Sequence, residues 1–138
     1  MENPFELVQV IDAPIKRVWE ALTDEKQMKV WYFPQLHKFR PVIGYKFEFH
    51  DDGSSYKKEW RVTHIEQGRR LSHSWVYVGY PGYSEVTFEI DEASAGRTKL
   101  ILTHTGLSTY PEEPHFARQR FEAGWKGIIG NLTMYLER

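Results

Sequence analysis

The sequence predicts an α+β fold in which a six-stranded antiparallel sheet curls around one long C-terminal helix. Three observations support this fold: regularly placed turn signals, alternating large side chains between them, and a helical apolar pattern near the C-terminus. The central turn signals are Asp51-Asp52-Gly53, Glu66-Gln67-Gly68, Tyr80-Pro81-Gly82 and Ser94-Ala95-Gly96. They divide the middle of the chain into segments of strand length.

Six strands are predicted, over residues 5–11, 44–50, 56–66, 69–77, 83–91 and 97–105. The short loops between the last five favour consecutive antiparallel hairpins. In the last five strands the large side chains fall on one parity: Tyr45, Phe47, Phe49, Trp60, Val62, Leu71, His73, Trp75, Tyr77, Val86, Phe88, Ile90, Leu100, Leu102 and His104. This face is wide and aromatic, and it also carries imidazoles and phenols. We interpret it as the wall of a ligand cavity.

Two short helices are predicted after the first strand, and one long helix at the C-terminal end. The first short helix is predicted by an apolar stripe with helical spacing, at Ile15, Val18, Trp19 and Leu22. Asp12 is a candidate cap for this helix, and a second helix is predicted over 24–31. The last helix is predicted over 111–136. Its start is placed there because Thr109 and Glu112 have the spacing of a capping box.

Three glycines interrupt the predicted last helix, at Gly124, Gly127 and Gly130. Each costs about 1 kcal/mol relative to alanine in a helix interior. Either a close approach of the helix to the sheet or space kept for a ligand would explain them.

Composition excludes several classes of function. The 138 residues are expected to form a single domain over 1–138, with a formal net charge of −1 and no basic run longer than a pair. Nucleic-acid binding through a basic surface is therefore not expected. The chain has no cysteine, which excludes disulfides and thiol nucleophiles. We expect a cytoplasmic protein without membrane insertion, since no signal peptide and no apolar run of spanning length are present.

Five segments resemble one protein superfamily. They are IDAPIKRVWEALTD, VIGYKFEF, WRVTHIEQGRRLSHSW, GRTKLILTHTGL and FEAGWKGIIGNLTMYL, in the expected order over essentially the whole chain. They resemble the SRPBCC superfamily, which also contains START and Bet v 1 proteins. Within it the chain is most similar to the branch named for the C-terminal domain of the activator of Hsp90 ATPase.

The resemblance implies a helix-grip fold, with a curved sheet wrapped around the C-terminal helix and a cavity between them. It implies less about activity, because the superfamily includes lipid carriers, hormone binders, polyketide cyclases and sequestering resistance proteins. His73 departs from the branch, whose members often have an aromatic or apolar residue there. We expect no attached N-terminal domain of the kind that the Hsp90 activator carries, which argues against a full co-chaperone role.

The two interior histidines, His73 and His104, have two interpretations. Each imidazole could contact a polar ligand group or act as a general base. Each could equally be a core residue whose nitrogens are satisfied by a carbonyl or a tyrosine. No metal is expected, because the strand histidines form no His-x-His pair and no helical His-Glu-x-x-His motif exists. A nucleophilic hydrolase is not expected either, because the Gly-x-Ser-x-Gly motif is missing.

The favoured function is binding of a small lipophilic, partly aromatic molecule, without a cofactor. The predicted lining residues are Tyr45, Trp60, His73, Trp75, Tyr77, Phe88, His104 and Trp125. One alternative is an acid–base enzyme of the cyclase, isomerase or hydrolase type, with His73 as base. Another is an interaction module for an Hsp90-type chaperone, and a homodimer is left open. The aromatic cluster Trp31-Tyr32-Phe33 could either gate the cavity mouth or anchor the second helix.

Overall fold

A six-stranded antiparallel sheet faces a 20-residue C-terminal helix in the computed structural model, which describes residues 3–138. Its strands are β1 (Phe5–Ile11), β4 (Lys58–Glu59), β5 (Val62–Glu66), β6 (Arg70–Tyr77), β7 (Ser84–Ser94) and β8 (Arg97–Thr105). The order across the sheet is β1-β8-β7-β6, and both β4 and β5 pair with β6. Two further short strands, β2 (Leu36–Lys38) and β3 (Glu48–Phe49), pair with each other. The predicted fold class is therefore confirmed.

One edge of the sheet is less regular than predicted. The expected strand over 56–66 is divided into β4 and β5, with a register shift between Val62 and His64. The expected strand over 44–50 is mostly irregular. It stays beside the sheet through a bond from the Phe47 amide to the Trp60 carbonyl (2.9 Å) and one from the Val62 amide to the Tyr45 carbonyl (3.0 Å).

The alternation of side chains places both interior histidines in one row across the sheet. His73 on β6 is paired with Val86 on β7, which is paired in turn with His104 on β8. All three residues are fully buried. The glycines of the four turn signals, which include Gly53 and Gly96, adopt positive φ, the conformation that makes glycine the favoured residue there.

The two short helices are α1 (Ile15–Thr23) and α2 (Glu25–Trp31). The Asp24 carboxylate caps α2 by accepting a bond from the Gln27 amide. The prediction that Asp12 caps α1 is wrong. Pro14 holds the cap position in an extended conformation, so the helix begins too far along for the Asp12 side chain. The Asp12 amide instead donates to the Glu137 carboxylate, at 2.8 Å.

The long helix α3 (Arg118–Glu137) begins seven residues later than predicted. Glu113 is extended, as residues before a proline prefer, and Pro114 starts a separate 3₁₀ turn that ends at Phe116. The expected capping box does not form, because the Thr109 hydroxyl binds the Tyr83 backbone instead. Within residues 3–138, no helix combines the length and apolar character needed to span a membrane. Residues 1 and 2, on which the expectation about targeting partly rests, lie outside the described part.

Candidate ligand-binding site

A cavity of about 330 Å³, partly open to solvent, lies between the end of β6 and the first half of α3. Aromatic side chains from the sheet, the helix and two loops form most of its wall. The lining residues are Phe33, Asp52, Ser54, Tyr56, Lys58, Trp75, Tyr77, His115, Arg120, Phe121, Gly124, Trp125 and Ile128.

Three of the eight predicted lining residues, Trp75, Tyr77 and Trp125, border this cavity. The other five are placed away from it. Trp60, His73, Phe88 and His104 are buried in the core, and Tyr45 is half-buried against the core.

His73 is held from both ring nitrogens. Nδ1 is 2.9 Å from the Ser74 carbonyl, and Nε2 is 2.8 Å from the Tyr32 hydroxyl. A carbonyl oxygen only accepts, so Nδ1 carries the proton and Nε2 accepts from the tyrosine. Burial lowers the pKa of His73 to about 4, against a smaller opposing effect of the Ser74 carbonyl. The imidazole is therefore neutral at pH 7.

His104 has the opposite arrangement of protons. The Trp125 indole N–H, which can only donate, points at Nδ1 of His104 (2.9 Å). Nδ1 is thus the acceptor, and the proton lies on Nε2, 2.8 Å from the Ser84 hydroxyl. Burial lowers the pKa of His104 to about 3, with a contribution from His73.

The hydrogen bonds continue from Ser84 to the sheet backbone. The Tyr110 hydroxyl donates to the Trp75 carbonyl, to which the Ser84 hydroxyl also donates at 3.1 Å, and the two hydroxyl oxygens are 2.5 Å apart. The resulting chain runs from Trp125 through His104, Ser84 and Tyr110 to the Trp75 carbonyl. It connects α3 to the strand that carries Trp75, and so positions two walls of the cavity.

The position of the proton on His104 decides whether Ser84 could act as a nucleophile. A serine nucleophile needs a histidine nitrogen that accepts its proton. Here Nε2 of His104 donates to Ser84, and both residues are buried. The pair therefore has a structural role in this arrangement.

The aromatic cluster after α2 divides between the two roles considered for it. The Trp31 indole N–H donates to the Ala21 carbonyl (2.8 Å), which anchors α2 to α1. Tyr32 is buried and bonded to His73. Phe33 alone of the three lines the cavity, where the ammonium group of Lys58 lies 4.9 Å from its ring centroid.

The lining residues that the sequence did not indicate include Tyr56, Lys58, His115 and Arg120. Tyr56 and Lys58 have the same parity as Trp60, so the alternation that selected Trp60 also contained them. His115 stacks on Tyr56 with ring centroids 3.5 Å apart and planes at 7°. It lies in an irregular segment of the chain that gives no periodic signal.

Gly124 lines the cavity, and a Cβ built there would meet no atom within 4 Å. A Cβ built at Gly127 or Gly130 would also meet no atom within 4 Å. A close approach of helix and sheet therefore does not explain these glycines. At Gly124 the missing side chain leaves space in the cavity.

No group of three or more His, Cys, Asp or Glu side chains that could hold a metal ion occurs among residues 3–138. The arrangement offers aromatic area, two phenols and two cations, which is a set suited to noncovalent binding.

Comparison with known proteins identifies relatives over the full length of the chain. Residues 12–137 match the family model "Activator of Hsp90 ATPase homolog 1-like protein". No curated protein gives a match. Many solved structures match the chain.

Three solved structures show the range of these relatives. DynU16, from the dynemicin biosynthetic locus, is 25% identical with a TM-score of 0.77; the match covers 99% of this chain and 48% of DynU16, so the chain spans about half of that protein. CalU16 from Micromonospora echinospora is 27% identical with a TM-score of 0.72, covering 96% and 73% of the two chains. PFC0360w, an HSP90 activator from Plasmodium falciparum, is 22% identical with a TM-score of 0.76, covering 98% and 96%. The chain thus belongs to the family of activator of Hsp90 ATPase homolog 1-like proteins, within the SRPBCC superfamily.

Proposed function

We propose that the protein binds a small hydrophobic, partly aromatic ligand in the cavity between β6 and α3. The observation that carries this proposal is the open volume of about 330 Å³ bounded by the rings of Phe33, Trp75, Tyr77 and Trp125. Ligand sites are typically concave, mostly apolar and of about this size or larger. Rigid aromatic rings supply contact area at a low entropic cost.

The relatives support a small-molecule ligand. Two of the matched structures, DynU16 and CalU16, are at least 25% identical to this chain, and DynU16 comes from a biosynthetic locus.

Binding is better supported than acid–base catalysis. An enzyme that uses His73 as a base needs that imidazole open to the cavity. His73 is fully buried, and both of its nitrogens have partners. The imidazole that lines the cavity, His115, is stacked on Tyr56.

A cavity-filling substitution tests the proposal. Gly124→Leu adds a side chain at the cavity wall, where a Cβ meets no atom within 4 Å, whereas Gly127→Leu adds the same side chain to the same helix outside the cavity wall. The neutral fluorescent compound N-phenyl-1-naphthylamine serves as the probe. We expect wild type and Gly127→Leu to bind it equally, and Gly124→Leu to bind it at least about tenfold more weakly, because the ligand would clash with the new side chain.

Native mass spectrometry of the purified protein complements this experiment by identifying any compound that copurifies. Equal probe binding by all three proteins, or no binding by wild type, would exclude this cavity as the site.

An Hsp90-type chaperone is the second candidate partner, because the matched family is described by activators of Hsp90 ATPase. Addition of the purified chain to an Hsp90-type chaperone, with the ATPase rate as readout, tests this candidate. A rate that does not change at saturating amounts of the chain would eliminate it.

A further inference from the structure

Lys58 brings a positive charge into the wall of the aromatic cavity. Its side chain is half-buried, and its ammonium group lies 4.9 Å from the centroid of the Phe33 ring. Loss of solvent lowers the pKa of Lys58, and the nearby Asp52 charge opposes this effect. Among residues 3–138, no carboxylate lies within 4.0 Å of the Lys58 ammonium group.

The neighbouring lysines are paired. Lys57 lies 2.5 Å from the Asp51 carboxylate, and Lys46 lies 3.7 Å from the Glu59 carboxylate. These two are the more exposed side chains of the region, where pairing contributes least. The unpaired ammonium group is instead the one turned toward the cavity, where an uncompensated charge is costly.

A second cation, Arg120, reaches the same cavity from α3. In the described part of the chain it also lacks a carboxylate within 4.0 Å. Both cations act on a third lining residue, His115. Its pKa is lowered first by burial and then by the charges of Arg120 and Lys58, against an opposing effect of Glu113.

One acidic residue also lines the cavity. The Asp52 carboxylate accepts a hydrogen bond from the Ser54 amide at 2.8 Å, which holds it in its own loop. The cavity wall thus carries two positive charges and one negative charge. An anionic group that enters with a ligand would meet a net positive wall.

We propose that the ligand of this cavity is a small aromatic anion, whose ring system contacts Phe33, Trp75 and Tyr77 and whose carboxylate or comparable group binds Lys58 and Arg120. This inference rests on the proposed ligand-binding function and specifies its ligand class. The rings provide burial, and the two cations provide charge-assisted hydrogen bonds that a neutral analogue of the same shape does not form.

Two probes of equal shape and different charge test the inference. 2-Naphthoate carries a carboxylate, and 2-naphthamide is its neutral counterpart. Their dissociation constants are measured by isothermal titration calorimetry. We expect the wild-type protein to prefer naphthoate by about 10- to 100-fold, which is the range for hydrogen bonds to a charged group.

Variants that remove one positive charge show which residues cause the preference for naphthoate over naphthamide. Lys58→Gln and Arg120→Gln are each expected to reduce the preference for naphthoate by about tenfold and to leave the affinity for naphthamide nearly unchanged. Lys58→Arg, which keeps the charge, should retain most of the preference. Lys126→Gln on the same helix as Arg120, outside the cavity wall, is the matched control and should behave as wild type. Melting temperatures of all variants confirm that each one is folded.

Equal affinities of wild type for the two probes would overturn the inference and leave the proposed function standing. So would a naphthoate preference that persists in the Lys58→Gln, Arg120→Gln double variant. Failure of wild type to bind either naphthalene probe or N-phenyl-1-naphthylamine would overturn the inference together with the proposed function.

Discussion

His73 and His104 lie in one row of the sheet but carry their protons on different nitrogens. The partner of each imidazole decides which nitrogen is protonated: a carbonyl for His73 and an indole N–H for His104. The sequence placed both residues inside the protein by strand parity alone. It could not identify Tyr32 or Trp125 as partners, because they belong to segments 41 and 21 residues away in the chain.

Removal of the Tyr110 hydroxyl should destabilise the protein. Tyr110→Phe removes the hydroxyl that lies 2.5 Å from the Ser84 hydroxyl and that donates to the Trp75 carbonyl. We expect the free energy of unfolding to fall by about 1–2 kcal/mol, as for a buried hydrogen bond whose partners stay behind. Tyr83→Phe is the control, because Tyr83 is 54% exposed. Urea unfolding measures both, and an equal change in the two variants would contradict the proposed chain of bonds.

Acid should weaken the fold through the two buried histidines. Their pKa values are lowered from 6.5 to about 4 for His73 and about 3 for His104. As the pH falls below 6.5, the unfolded chain takes up protons that the folded protein does not, so the free energy of unfolding decreases. The stabilisation is complete above pH 6.5 and is lost as the pH falls to about 4 for His73 and to about 3 for His104, at up to about 1.4 kcal/mol per pH unit for each histidine.

Urea unfolding between about pH 4.5 and pH 7.5 measures this slope. His73→Gln removes one of the two titrating groups, so its stability should vary less steeply with pH than that of wild type, whatever its absolute stability. A slope identical to that of wild type would show that His73 does not carry the effect.

At the scale of elements, α3 shows which features the sequence could determine. The helical apolar pattern near the C-terminus correctly indicated a long helix, in which Phe121, Trp125 and Leu132 are buried. Its start was placed too early, because two local signals compete. The spacing of Thr109 and Glu112 suits a capping box, whereas Pro114 forces an extended residue before it, and the proline constraint prevails.

Substitution by alanine should change the free energy of unfolding in opposite directions at Gly130 and Gly106. Gly130→Ala is expected to raise the free energy of unfolding by about 1 kcal/mol, because a Cβ there meets open space and alanine favours the helix. Gly106→Ala should lower it, since Gly106 has a φ of +87° and its Cβ would lie 2.5 Å from the Tyr83 carbonyl. Chemical denaturation of both variants measures the pair, and a destabilised Gly130→Ala would contradict the open surface at that position.

At the scale of the whole molecule, the position of the cavity depends on how the layers fill the sheet face. Strand parity predicted which residues face inward, and that face is indeed continuous from Leu71 to Tyr77. Strand parity does not show how closely the helices and loops of the opposite layer approach each part of the sheet. Tyr32 packs against His73 near the middle of the face, and the candidate cavity lies beside it, near Trp75 and Tyr77. The sequence therefore predicted the face but not the part of it left open.

Occupation of the cavity should stabilise the entire fold. A ligand that binds only the folded state adds about 2.7 kcal/mol to the free energy of unfolding when its concentration is 100 times its dissociation constant. We expect this gain for wild type and Gly127→Leu with N-phenyl-1-naphthylamine at a common concentration, and little gain for Gly124→Leu. Thermal unfolding with and without the probe measures the difference. A gain of equal size in Gly124→Leu would place the binding elsewhere on the molecule.

The open space beside Gly124 has a practical consequence when combined with the composition of the chain. The sequence contains no cysteine, so Gly124→Cys would introduce a single thiol on the wall of the cavity. An environment-sensitive dye attached to that thiol would lie beside any occupant and would report its entry as a change in emission. The labelled protein would then serve as a sensor, with which mixtures of small molecules can be screened for compounds that enter the cavity.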